Sequence, residues 1–130
     1  MLNHFSEHPQ KIVHPYNVFR AICTEVYDGD TYTMLVDLGF HTYVTIRVRE
    51  QDIDTPEIRT KDLDEKAEGY KSRDRVRELI LDKPCVIITD KDTTSFDRWI
   101  AKVSYFGEDG SLIPLGQQLI DEERAVPYVK

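Results

Sequence analysis

Five strand-like segments, divided three and two by one helical segment, constrain most strongly what this chain can fold into. β-Branched and aromatic residues dominate segments 18–27, 31–36 and 41–49, and again 85–89 and 99–106. A helical pattern separates the two groups over 62–83, and a shorter helix is predicted over 112–123. This order predicts a mainly β fold with helices: a five-stranded Greek-key barrel of the OB type, with a helix between strands 3 and 4 and a short C-terminal helix. A plain α+β domain is the alternative.

The patterning within these segments predicts which side chains are buried. On the third strand, alternation places Arg47 and Arg49 on one face and the aliphatic residues between them on the other. Asp62, with Glu65 three residues later, has the spacing of a capping box at the start of the helix. Trp99 begins an apolar strand and is expected in the core. One face of the helix carries Gly69, Ser72, Val76, Leu79 and Ile80.

Length and composition favour one folded domain. The 130 residues suffice for a single core, and 40% apolar with 32% charged residues is typical of a soluble chain. No apolar run approaches the roughly 18 residues of a membrane span, and the N-terminus lacks signal-peptide features. Cys23 and Cys85 are too few for a disulfide framework, so we expect buried thiols in a reducing compartment. The expectation is a cytoplasmic monomer with no membrane partner, comprising an N-terminal arm (1–15) and one domain (16–130).

The formal net charge of −7 would ordinarily disfavour a nucleic-acid partner, but it is unevenly distributed. Residues 16–57 carry eight acidic and three basic side chains. Five of these acids are Asp28, Asp30, Asp52, Asp54 and Glu57. They either lie on separate solvated surfaces or converge and need a cation. If they converge, Asp30 and Asp54, with a loop carbonyl, offer hard oxygen ligands suited to Ca²⁺ or Mg²⁺.

Four fragments in combination indicate phosphodiester chemistry. They are Asp28-Gly29-Asp30-Thr31, Arg49, Asp54-Thr55-Pro56-Glu57 and Phe96-Asp97-Arg98. The planar forks of two arginines match phosphate oxygens bidentately, and a glutamate beside a cation can orient or deprotonate a water. Cation and arginines would take up developing negative charge while the water attacks in line.

These fragments resemble the motifs of the staphylococcal nuclease (thermonuclease) family, and the resemblance covers about residues 16–128. The shared features are the Asp-Gly-Asp-Thr turn, an arginine five residues before the aspartate of Asp-Thr-Pro-Glu, and an aromatic-x-Arg before the last strand. The resemblance implies an OB-barrel nuclease that needs Ca²⁺, with Mg²⁺ or Mn²⁺ less favoured, and that cleaves DNA and RNA to leave 3′-phosphates. Because an OB groove receives splayed bases more easily than a duplex, we expect single strands to be preferred.

The resemblance also implies a role for each matching residue. The two arginines would bind phosphate and the glutamate would be the general base. The implied Ca²⁺ ligands are Asp30, Asp54 and the Thr55 carbonyl, and the implied catalytic residues are Arg49, Glu57 and Arg98.

Substrate contacts and departures from the family pattern fall near the same positions. Phe96 replaces the family's tyrosine and would retain stacking, and Tyr128 aligns with a second substrate-contacting tyrosine across a one-residue gap. Asp52 stands where the family often has glycine. Asp97 replaces the glycine before Arg98, where it could compete with phosphate for the guanidinium.

A basic stripe on the first helix, formed by Lys66, Tyr70, Arg73 and Arg77, has two interpretations. Nucleic-acid contact is one, but interleaved acids favour a solvated face. For the whole chain, a non-catalytic nucleic-acid-binding barrel is the alternative function, favoured by the net charge and opposed by the retained arginine–carboxylate set. A protein-interaction domain is a third possibility without a positive signal.

Overall fold

The computed structural model describes residues 17–91 and 98–128. The predicted N-terminal arm, Phe96 and Asp97 lie outside the described residues. The elements in chain order are β1 (Val18–Asp28), β2 (Thr31–Asp37), β3 (Tyr43–Glu50), β4 (Ile53–Asp54), α1 (Leu63–Ile80), β5 (Pro84–Lys91), β6 (Arg98–Phe106), β7 (Leu112–Pro114), α2 (Leu115–Asp121) and β8 (Val126–Pro127).

Five strands form a closed barrel, as the sequence predicts. They are hydrogen-bonded in the order β3-β2-β1-β5-β6, and β3 then pairs in parallel with β6 to complete the circle. The helix α1 lies between the third and fourth barrel strands, after the two-residue strand β4, and α2 follows the barrel. The OB-type architecture is therefore confirmed. Its interior is filled by inward-facing side chains that include Tyr32, Met34, Val48, Ile87 and Leu119.

The helix α1 begins and packs as its sequence pattern predicts. The Asp62 carboxylate caps it by accepting hydrogen bonds from the Asp64 and Glu65 amides at 3.0 and 3.2 Å. The other half of the cap differs, because the Asp62 amide donates to Thr60 Oγ1 at 3.2 Å. Four residues of the predicted apolar face are buried, Gly69, Ser72, Val76 and Ile80. Val76 and Ile80 belong to the hydrophobic core, whereas Ser72 Oγ donates to the Arg124 carbonyl at 2.5 Å.

Two predictions near the C-terminal half are wrong. Residues 112–114 form β7 against β6 instead of the start of a helix, because Pro114 is extended and its ring disfavours a helical conformation at Ile113. Trp99 is 37% exposed and is not a core residue. It pairs with Lys91 on the last rung between β5 and β6, whereas the inward positions of β6 become buried only from Ala101 onward.

The two cysteines are buried, unpaired thiols, as predicted. Burial raises the pKa of Cys23 to about 11 and that of Cys85 to about 12, so both are protonated and unreactive at neutral pH. Across the part of the chain that the structure describes, no helix combines the length and apolarity needed to cross a membrane.

Candidate active site

The turn between β1 and β2 holds Asp30 in a buried position. Asp28 Oδ1 accepts a hydrogen bond from the Asp30 amide at 3.0 Å, and the Asp30 carbonyl accepts from the Glu50 amide at 2.8 Å. Thr31 Oγ1 donates to Asp30 Oδ1 at 3.2 Å. Only 8% of Asp30 is exposed to solvent. Asp30 is therefore fixed where the turn meets the end of β3.

The same turn is in contact with the loop that carries the second predicted aspartate. A Cβ atom on Gly29 would lie 2.8 Å from Thr55 Cγ2, so only glycine allows this approach. Thr55 itself is 8% exposed and directly follows Asp54, the last residue of β4. Gly29 and Thr55, which are 26 positions apart in sequence, therefore pack directly against each other.

Arg49 joins the two aspartates. Its Nη2 atom lies 3.7 Å from Asp30 Oδ2 and 3.7 Å from Asp54 Oδ1, while its Nη1 donates to the Glu50 carbonyl at 3.1 Å. Of the two alternatives that the sequence left open, convergence is the one that the geometry favours for Asp30 and Asp54. The Arg49 guanidinium therefore lies between the two carboxylates, in contact with one oxygen of each.

Burial perturbs the ionisation of Asp30. Desolvation, and then the hydrogen bond and charge of the adjacent Asp28, together raise its pKa to about 6, and Arg49 opposes this only in part. The folded state therefore holds a proton on Asp30 more tightly than the unfolded state does. A cation bound by this carboxylate would compete with a proton below about pH 6.

The donor set suits a hard divalent cation but is incomplete by itself. Within residues 17–91 and 98–128, no group of three or more His, Cys, Asp or Glu side chains is placed to hold a metal ion. Asp30 and Asp54 supply carboxylate oxygens, which fit Ca²⁺ or Mg²⁺ and not a soft metal. The remaining positions of such an ion would be filled by backbone carbonyls, for which Thr55 is the sequence-based candidate, and by water.

Glu57 lies on the open side of the loop. It is exposed and lines a cleft of about 360 Å³ together with Asp54, Thr55 and residues of the C-terminal segment 123–126. The cleft gives solvent access to one face of Asp54. The structure thus places Glu57 beside one predicted ligand and in contact with water, a position compatible with the base role that the resemblance implies.

The closing pair of barrel strands positions Arg98 relative to Arg49. Arg98 begins β6 and pairs in register with Arg47 of β3, so Arg98, Arg47 and Arg49 share one face of the two strands. From strand spacings, the Cα atoms of Arg98 and Arg49 are about 8 Å apart. Both predicted phosphate-binding arginines therefore belong to the same outer face of the barrel.

Tyr128 is the one predicted substrate-contacting residue that the structure describes, because Phe96 lies outside those residues. Its ring centroid is 5.2 Å from Arg49 Cζ, and its amide donates to the Asp52 carbonyl at 2.9 Å. Asp52 has a φ of 67°, a left-handed conformation that glycine adopts at lower cost than aspartate.

The sequence analysis missed Glu50, which is buried inside the barrel. Its Oε2 accepts from the Val103 amide at 3.1 Å, whereas Oε1 has no hydrogen-bond partner among the described residues. Burial raises its pKa to about 8. The alternation of β3 already places Glu50 on the inward face with Val48, but its charge hides that signal.

Gly69 of α1 lets the helix pack against the loop that carries Glu57. A Cβ atom there would lie 2.8 Å from the Pro56 carbonyl oxygen and 2.9 Å from that of Glu57. We expect Gly69→Ala to lower the free energy of unfolding by about 1–2 kcal/mol, because the clash with rigid backbone outweighs the roughly 1 kcal/mol gain in helix propensity. Urea denaturation measures this, with exposed Ala67→Gly as the control for propensity in the same helix. A more stable Gly69→Ala protein would contradict the tight contact.

Comparison with known proteins adds no family assignment. The chain matches no protein-family description, and no curated protein matches it in sequence.

Proposed function

We propose that this protein is a metal-dependent nuclease that hydrolyses phosphodiester bonds of DNA and RNA, with Ca²⁺ as the preferred cation. The observation that carries the proposal is the convergence of Asp30 and Asp54 on the Arg49 guanidinium at 3.7 Å each. A buried carboxylate, a second carboxylate and a half-buried arginine at one point form a site that can hold both a hard cation and a phosphate.

Each residue has a defined task in this proposal. A bound divalent cation would supply electrostatic stabilisation of the negative charge that develops on phosphate oxygens. Arg49 and Arg98 hold the phosphate through planar forks, and Asp30 and Asp54 hold the cation. Glu57 accepts a proton from the attacking water. Tyr128, next to Arg49, provides a surface on which a base can stack.

The expected substrate is a single strand, cleaved to leave 3′-phosphates, as the resemblance implies. The cytoplasmic location expected from the sequence remains part of the proposal, and the two unpaired thiols are compatible with a reducing compartment.

A non-catalytic nucleic-acid-binding barrel is the second candidate. The observation in its favour is that Arg49 is already engaged by two carboxylates, which would weaken its attraction for phosphate when no cation is bound. The two candidates differ in whether a cation changes the fate of the nucleic acid or only its affinity.

A cleavage assay with a conservative variant separates them. Heat-denatured DNA should be degraded in millimolar Ca²⁺ and left intact in chelator. Arg49→Lys keeps the charge between the aspartates but loses the fork, so its rate should fall by about 10²–10³-fold. Arg20→Lys, at an exposed position on β1, is the matched control and should keep the wild-type rate. Intact DNA with wild-type protein in Ca²⁺, Mg²⁺ and Mn²⁺ would reject the nuclease.

A further inference from the structure

A second cleft of about 490 Å³ lies between α1 and the end of β1 and shares no lining residue with the cleft of Glu57. Its lining contains one acidic residue, Glu25, and four basic ones. The basic residues are Arg59, Lys66, Arg73 and Arg77. In a chain of net charge −7, this is a local reversal of sign.

The rings of two tyrosines in this cleft contact arginine guanidinium groups. The ring of Tyr27 contacts two arginines: its centroid is 5.6 Å from Arg59 Cζ and 5.9 Å from Arg47 Cζ. Tyr70, on α1, has Arg73 Cζ 4.5 Å from its ring centroid. Both tyrosines are partly exposed, at 41% and 36%. Cations interleaved with accessible aromatic rings are the composition of a surface that binds unpaired nucleic-acid strands.

The acids interleaved on α1 offset only part of the positive charge of this cleft. Glu68 pairs with Lys71 and Arg124, and Glu78 pairs with Arg75, all of which lie outside the cleft lining. Asp74 is the acid that borders the stripe, where it pairs with Arg73 at 3.0 Å and with Arg77 at 4.0 Å and so offsets part of their charge. Among the described residues, neither Arg59 nor Lys66 forms an ion pair.

The cleft is also connected to the candidate active site. Arg47, which contacts Tyr27, is two residues before Arg49 on the same face of β3 and pairs in register with Arg98. A strand held at Arg49 and Arg98 would therefore reach Tyr27 and Arg59 next. Beyond them, the basic stripe of α1 extends for about 16 Å from Lys66 to Arg77.

We propose that this cleft is a second binding track for the same single-stranded nucleic acid, and that it holds the phosphates of the strand outside the cleavage point. The proposal rests on the proposed function for its choice of polyanion. Its chemistry is electrostatic contact by Arg59, Lys66 and Arg77, with bases stacked on Tyr70. It predicts that long substrates bind more tightly than short ones while the cleavage step is unchanged.

The test measures binding in chelator, so that cleavage plays no part. A fluorescein-labelled oligothymidylate of about 20 nucleotides exceeds the roughly 4–16 nucleotides of one OB site. The double variant Arg59→Gln/Lys66→Gln should weaken its binding by about tenfold or more, and should reduce the slope of log affinity against log salt by about 1.4, or 0.7 per lost contact. Arg20→Gln/Lys71→Gln removes the same two residue types from exposed positions outside the cleft and should leave both values unchanged.

Three controls accompany the binding measurement. Thermal melting should show both double variants folded, and Arg59→Lys should retain the wild-type salt slope. In Ca²⁺, cleavage of a dinucleotide should be equal in wild type and Arg59→Gln/Lys66→Gln.

Equal oligonucleotide affinities in the two double variants would overturn the track, even if the protein is a nuclease. Displacement of the oligonucleotide by polyglutamate at equal charge would also overturn it, because the cleft would then accept acidic polymers in general. Weaker binding only in Arg59→Gln/Lys66→Gln supports the track even if no cleavage occurs.

Discussion

Asp30→Asn should abolish both cleavage and the Ca²⁺-induced rise in melting temperature, while the metal-free variant at pH 8 is more stable than wild type. The reason is that an ionised Asp30 is unfavourable in its buried position, since its pKa in the folded protein is raised from 3.8 to about 6. A raised carboxyl pKa stabilises the fold fully below pH 3.8, and that contribution is lost as the pH rises through 6. At pH 8 the ionised side chain therefore costs about 1–3 kcal/mol, after allowance for its partial contact with solvent.

Asparagine removes this cost and also removes the ligand. At a Ca²⁺ concentration of about 100 times the dissociation constant, wild type should gain about 2.7 kcal/mol, or roughly 8–12 °C in melting temperature. The variant should gain nothing. Melting both proteins in Ca²⁺ and in chelator, at pH 5 and pH 8, measures the two effects. The excess stability of the variant should be about half as large at pH 5, because pH 5 lies between the unfolded pKa of 3.8 and the folded pKa of about 6.

Asp28→Asn is the matched control for Asp30→Asn. It removes a charge from the same turn, and its side-chain oxygen can still accept the Asp30 amide. The Ca²⁺ shift should survive in Asp28→Asn. Equal Ca²⁺ shifts in wild type and Asp30→Asn would exclude Asp30 as a ligand, and the proposed cation site would be wrong.

Glu50→Gln should remove the larger part of the pH dependence of stability between pH 5 and pH 9. In wild type, Glu50 stabilises the fold fully below its unfolded pKa near 4.5, and this contribution is lost as the pH rises through about 8. At pH 9 the folded chain must hold a carboxylate that is 2% exposed and satisfied at only one oxygen. The difference between pH 5 and pH 9 should be roughly 3–5 kcal/mol in wild type, the larger part of the stability of many domains.

Glutamine should keep the hydrogen bond from the Val103 amide through its side-chain oxygen, but its side-chain NH₂ donor group would lack a partner. That donor costs about 1–3 kcal/mol, so the variant should be equal to or less stable than wild type at pH 5 and more stable at pH 9. Urea denaturation in chelator at three pH values tests this, with exposed Glu108→Gln as the control. If the pH profiles of wild type and Glu50→Gln coincide, Glu50 is solvated in a way that its position in the fold does not indicate.

The barrel could be predicted because its strands carry their own signal. On β3 the alternation around Arg47 and Arg49 shows which face is outward, and on α1 the Asp62 cap and the spacing of small and apolar residues show where the helix begins and packs. Residues 112–114 could not be predicted as a strand, because three residues are too few to show a period of two and Pro114, the last of them, is also compatible with the start of a helix.

The site was only partly predictable, since its decisive contacts join distant segments. Motif spacing points to Asp30 and Asp54 but cannot distinguish convergence from separation. The contact of Gly29 with Thr55, and the position of Arg49 between the two aspartates, exist only in the folded barrel. The second cleft could not be predicted from the α1 sequence either, because Tyr27 and Arg59 face α1 from other parts of the chain.

The parallel pairing of β3 with β6 has a consequence for the order of events in folding. Arg47 and Arg98 are register partners about fifty residues apart, so closure of this pair must overcome a large loop entropy. The antiparallel pairing of β1 with β2 and of β2 with β3 is local and can form early. The Asp30 turn and Arg49 would then be in place while the second arginine is still absent. A nascent chain that has not yet delivered β6 would lack half of the proposed phosphate-binding pair, so the proposed cleavage activity would arise only with the last strand of the barrel.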